Sequence, residues 1–107
     1  MTDLSYLSEE VLKAVYDTIE YKDYRALLEK VKEDPVLYAR VNEFREKNFL
    51  LQQSDSEDLL DMMDALTNEY EDVINIELVN EFLEAEIAFM RMMQDFNHKL
   101  IDGLEFD

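Results

Sequence analysis

The chain has no cysteine. That excludes a disulfide, a thiolate zinc site, a cysteine-ligated iron–sulfur cluster and a cysteine nucleophile within it. Glycine and proline occur once each, as Gly103 and Pro35. A β-architecture needs turn residues at short intervals, so this scarcity points to a few helices with short connections. Histidine also occurs once, at His98, which leaves nucleophilic catalysis poorly served. No glycine-rich phosphate loop is present, and no apolar run is long enough to span a bilayer. The opening residues MTDLSYLSEE lack the basic and apolar regions of a signal peptide, so a soluble, cytoplasmic protein is expected.

Positive charge is the most unevenly distributed deficit. Eight of the ten Lys and Arg lie at or before Lys47, and none occurs from Asn48 to Met90, where twelve Asp and Glu are found. With a net charge of −17, direct binding of nucleic acid or of an anionic membrane is not expected. By itself the charge favours a solvated, soluble surface; an acidic face for a basic protein partner is the functional alternative.

What is present is apolar periodicity in a chain of 107 residues, the size of one domain. Its 48% hydrophobic content is ordinary for a folded protein despite the charge. From Glu77 to Asp102, Val79, Phe82, Phe89, Met93, Phe96 and Leu100 recur three and four apart. That spacing predicts one long helix with a buried seam, ended by Gly103, onto which Leu104 and Phe106 fold back. One seam position, Glu86, is a carboxylate and needs either a partner or water.

Earlier in the chain, Ser8 (or Ser5) is expected to open a first helix striped by Val11, Leu12, Val15 and Ile19. A second stripe of Tyr21, Tyr24, Leu27, Leu28 and Val31 continues the helical spacing; the sequence leaves one helix or two open, with a bent pair broken near Thr18–Glu20 preferred. Asp34-Pro35 reads as an N-cap and first helical residue. The helix it opens has the seam Leu37, Val41, Phe44, Asn48 and Leu51. Ser54 with Glu57 fits a capping box for a helix with the seam Leu59, Met63, Leu66, Tyr70 and Val73, stopped near Asn75. The expected fold is therefore all-α: four to five helices in a bundle, the last one long, forming a single domain over residues 1–107.

Two seams carry one polar residue each, Asn48 and Glu86. If the third and final helices run antiparallel, these positions meet, and Arg45 is the expected counter-charge for Glu86. The alternative is that Glu86 turns to the seam edge and meets solvent. Met62, Met63, Met90, Met92 and Met93 cluster in the last two helices. The apolar arc of the final helix is broader than one seam can bury, so Phe49, Phe82, Phe89, Met90 and Met93 are the candidate residues of an oligomer interface. Asp95 and His98 share a helix face, but one histidine is too few for a carboxylate-bridged metal site. The run Asp55, Glu57, Asp58 lacks the spacing of a calcium loop. No catalytic, metal-binding or cofactor-binding residue is assigned.

Specific segments resemble a known family. Asp34-Pro35-Val36-Leu37, Val41-Asn42-Glu43-Phe44-Arg45 and Asn48-Phe49-Leu50-Leu51-Gln52 are similar to the central signature of the YlbF/YmcA family of small helical bacterial proteins. Asn80-Glu81-Phe82-Leu83-Glu84-Ala85-Glu86 and Phe89-Met90-Arg91-Met92-Met93 are similar to its second signature. The resemblance runs from about residue 8 to 104, and its motifs are packing motifs. It implies a non-enzymatic regulatory adaptor that forms homo-oligomers, dimers or tetramers, or associates with related family members. It also implies a place beside the endoribonuclease RNase Y in mRNA maturation, affecting competence, biofilm formation or sporulation. Some members contribute cysteines to iron–sulfur clusters; this chain has none to contribute. The alternatives are a structural subunit of a larger assembly and, further off, a carboxylate- and metal-dependent enzyme.

Overall fold

A computed structural model describes residues 4–104, and all regular structure among them is helical. The elements in order are α1 (Leu4–Tyr16), α2 (Ile19–Lys32), α3 (Pro35–Gln52), α4 (Leu59–Glu69), α5 (Glu71–Ile74) and α6 (Glu77–Gly103).

The first break is chemically explicit. Thr18 takes an extended backbone, its Oγ1 accepts from the Tyr21 N–H at 3.2 Å, and the same hydroxyl donates to the Val15 carbonyl at 2.7 Å. One side chain thus closes α1 and opens α2. Asp34 does the same for α3, accepting from the Leu37 N–H at 3.1 Å with Pro35 in the first turn. Replacing Asp34 with Ala is expected to cost about 1 kcal/mol. Urea unfolding should show this as a lower midpoint at unchanged slope.

Four expectations need correction. Ser8 lies inside α1, its hydroxyl donating to the Leu4 carbonyl at 2.8 Å, so it is no cap. Ser54 and Glu57 form no capping box. Ser54 Oγ accepts from the Ser56 N–H and Ser56 Oγ from the Asp58 N–H, both at 3.1 Å, so local turns take up these amides and delay the helix to Leu59. The stretch from Leu59 to Ile74 is two helices because Tyr70 leaves helical geometry at φ −109°, ψ 19°. That kink lets the Tyr70 ring pack on Phe44 while Val73 still enters the core. Leu104 is exposed rather than folded back, and Phe106 lies outside the described residues.

α6 lies chiefly along α2. Tyr21 packs on Phe89, and Tyr24 stacks on both Phe89 and Phe82, with ring centroids 5.4–5.7 Å apart. Lower residue numbers on one helix face higher numbers on the other, so the pair is antiparallel. α3 and α4 form a second antiparallel pair, tied by Lys47–Glu69 at 3.2 Å, with Arg40–Asp72 at 3.3 Å just beyond it. The two pairs meet in a small core of Leu28, Val31, Val41, Val73, Val79 and Phe82.

The shape is flat and long, 53 × 38 × 18 Å. Its radius of gyration is 17.2 Å, against about 13 Å for a compact globule of this length. The core occupies the N-terminal half of α6. Towards the other end the seam opens, and Phe96 and Leu100 are exposed. No helix is long and apolar enough to cross a membrane among the described residues.

Candidate functional site

The polar seam residue Glu86 sits on α6 one turn beyond Phe82. Its carboxylate Oε2 forms an ion pair with Nη2 of Arg45 from α3. Both side chains are mostly covered, with 18% of Glu86 and 28% of Arg45 exposed. The pair is thus half-buried, and Glu86 does not turn out to bulk solvent.

Arg45 is held from several sides. Its Nη1 donates to Asn42 Oδ1 at 3.0 Å, its Nη2 donates to the Tyr24 hydroxyl at 3.4 Å, and its guanidinium lies 5.2 Å from the centre of the Phe82 ring. Burial works against its charge, but Glu86 and, less strongly, Tyr24 outweigh that effect, and its pKa stands above the ordinary arginine value. Arg45 is therefore a permanent cation wherever the fold survives. Asn48 does not join the pair; its Oδ1 accepts from Gln52 Nε2 at 3.4 Å along its own helix. The reason is the packing order. α6 takes α2 as its close antiparallel neighbour, so α3 reaches it through long side chains such as Arg45.

The sequence gives no expectation of Asn42 or Tyr24 as partners of Arg45. Asn42 was findable, three residues before Arg45 on the same helical face. Tyr24 was not, because only the α2–α6 packing brings it there.

Above the ion pair lies a groove of about 390 Å³ between α3 and α6. Arg45, Asn48 and Gln52 form its polar side with Glu86, Arg91 and Gln94, and Phe49, Ile87 and Met90 supply its apolar side. These three apolar residues are 57%, 49% and 50% exposed. Ile87 was missed; its signal was its place one turn before Met90, beside the seam.

The five candidate interface residues separate in the structure. Phe49 and Met90 are open to solvent at this groove. Phe82 is fully enclosed by its own chain and is removed from the candidate interface, because Tyr24 and Arg45 cover its ring. Phe89 is half-buried against Tyr21 and Tyr24. Met93 is half-buried in a second, apolar cleft of about 250 Å³, shared by Val11, Ala14 and Val15 of α1 with Met92 and Phe96 of α6.

The site has a fixed ion pair and an apolar rim. Asp95 and His98 are exposed on α6, and among the described residues no three metal-ligating side chains converge. Such a surface can recognise another protein by shape and apolar contact around a polar mark.

A UPF0342 protein of Caldicellulosiruptor bescii is 25% identical over 107 residues, which cover 97% of this chain and 87% of the relative. No solved structure matches the chain. The pattern of the YlbF/YmcA family, described as control of the competence regulator ComK, matches residues 7–105. This chain belongs to that family of regulators.

Proposed function

We propose that the protein is a non-enzymatic regulatory adaptor that works as a homo-oligomer. Its groove between α3 and α6 is the self-association face. Surface area is the observation that carries this reading. The chain exposes 8378 Å² for a mass of 12.8 kDa. A compact monomer of that mass exposes about 6,300 Å². The excess, roughly 2,100 Å², is more than twice the ~800 Å² each partner contributes to a standard interface.

The exposed apolar residues lie where a partner can use them. Phe49, Ile87 and Met90 form one strip, with the Arg45–Glu86 pair beside it. Within the chain, that covered pair fixes how α3 sits against α6, because a shift between the two helices would leave the charges desolvated without compensation. By family resemblance, the oligomer acts on an RNase Y-type endoribonuclease complex in mRNA processing, and through it on competence, biofilm formation or sporulation. The family's description as a control of a competence regulator supports regulation rather than catalysis.

The test is mass in solution. Sedimentation should find the natural chain as a dimer or tetramer. Ile87→Glu combined with Met90→Glu should give a folded monomer, since both side chains point out of the intrachain core. A natural chain that sediments as a monomer at micromolar concentration would overturn the proposal.

A further inference from the structure

A different groove runs between α3 and α4, away from the ion pair. Leu51 and Leu66 form its floor, Met62 and Ala65 its wall, and its volume is about 290 Å³. Met62 is 44% exposed, so the groove is open and apolar at its mouth. The cation there, Lys47, is neutralised by Glu69 at 3.2 Å. One helical turn before Met62 and Ala65 stand Asp58 and Asp61, both exposed and without an ion-pair partner among the described residues. No Lys or Arg follows anywhere between Asn48 and Met90.

We propose that this groove docks a basic amphipathic helix of a protein client. The helix places an apolar side chain over Leu51, Met62 and Leu66 and its Lys or Arg heads against Asp58 and Asp61. Charge complementarity selects this occupant. A helix lying in a groove between two helices is held by apolar anchors one turn apart, and flanking charge sets which helix is accepted. A second copy of this chain, whose Lys and Arg cluster at or before Lys47, is the competing occupant, and following the oligomer during the titration separates it from a client helix. Nucleic acid would bring its phosphates against Asp58 and Asp61 and is repelled. The inference rests on the adaptor reading and gives it a client of defined chemistry, on a face other than the one assigned to self-association.

The experiment uses the full chain and two fluorescent synthetic helical peptides. Both carry a leucine stripe; one has lysine flanks and the other glutamate flanks. Anisotropy measures binding over a range of salt, and sedimentation is followed in parallel. The lysine peptide should bind, and Met62→Glu should weaken it by about tenfold or more. Asp58→Lys with Asp61→Lys alters only exposed side chains and should reverse the preference towards the glutamate peptide. Three results overturn the proposal. The lysine peptide fails to bind at low salt. Its affinity is indifferent to Met62→Glu in a variant whose helical melting is unchanged, which marks general attraction to an acidic chain. Or the peptide dissociates the oligomer, which makes the groove a seat for a second copy. A monomeric natural chain that still binds the peptide at the groove sinks the self-association reading and leaves this one standing.

Discussion

Replacing Phe82 with Ala should cost about 3–5 kcal/mol, a large part of the stability of a domain this size. Phe82 is fully buried, at the point where α2, α3 and α6 meet. Its ring stacks on Tyr24 at 5.7 Å and lies under the Arg45 guanidinium at 5.2 Å. Truncation removes the ring's transfer energy and leaves a cavity that a rigid neighbourhood fills only in part. It also strips cover from the Arg45–Glu86 pair. The fully enclosed core is only a few side chains, so little else compensates. Urea or thermal unfolding should show the variant largely unfolded, or with a far lower midpoint. Met90→Ala serves as the control. Met90 is half exposed, so at concentrations where subunits are separate its loss should change stability by less than about 1 kcal/mol. Equal effects from the two substitutions would contradict the assignment of Phe82 to the core and Met90 to a surface.

The second large effect concerns the ion pair, and its asymmetry is the informative part. Arg45→Ala leaves the Glu86 carboxylate, 18% exposed, with no counter-charge. Breaking a fully buried pair costs about 3–5 kcal/mol, and this site retains some water, so about 2–3 kcal/mol is expected. Glu86→Ala should cost less. Arg45 would still donate to Asn42 and Tyr24 and lie against the Phe82 ring. Replacing both, Arg45→Met with Glu86→Leu, should recover most of the loss, because well-packed apolar groups often match a buried pair in stability. A double-mutant cycle by urea unfolding should return a coupling of about 1–2 kcal/mol. Additive single effects would mean that the two charges do not depend on each other.

The elements were legible in the sequence wherever local chemistry decides. Asp34-Pro35 announces its own helix start, and the spacing from Val79 to Leu100 announces a rod ended at Gly103. The inward faces of α3 and of the α4–α5 stretch were legible for the same reason. Val41, Leu66, Tyr70 and Val73 fall at seam spacing, and all are buried. Serine misled twice, because a Ser hydroxyl can bond to its own helix or close a two-residue turn as readily as cap. The kink at Tyr70 was not legible, since helical spacing continues through it and only packing against Phe44 requires it.

By itself, the sequence determined an all-helical chain, the register of each apolar stripe, the acidic middle and the polar exceptions to the seams. These depend on spacing along one strand of chain and on charge, which need no partner to be defined. Only the tertiary structure decided which stripe meets which. It placed α2, rather than α3, along α6, enclosed Phe82, added Tyr24 and Asn42 as further partners of the Arg45 that pairs with Glu86, and left Phe49, Ile87 and Met90 open. Helical stripes of similar width are interchangeable in a pattern of apolar residues. The choice among them is made by the shapes of particular rings and the reach of one arginine, which appear only when the helices are side by side.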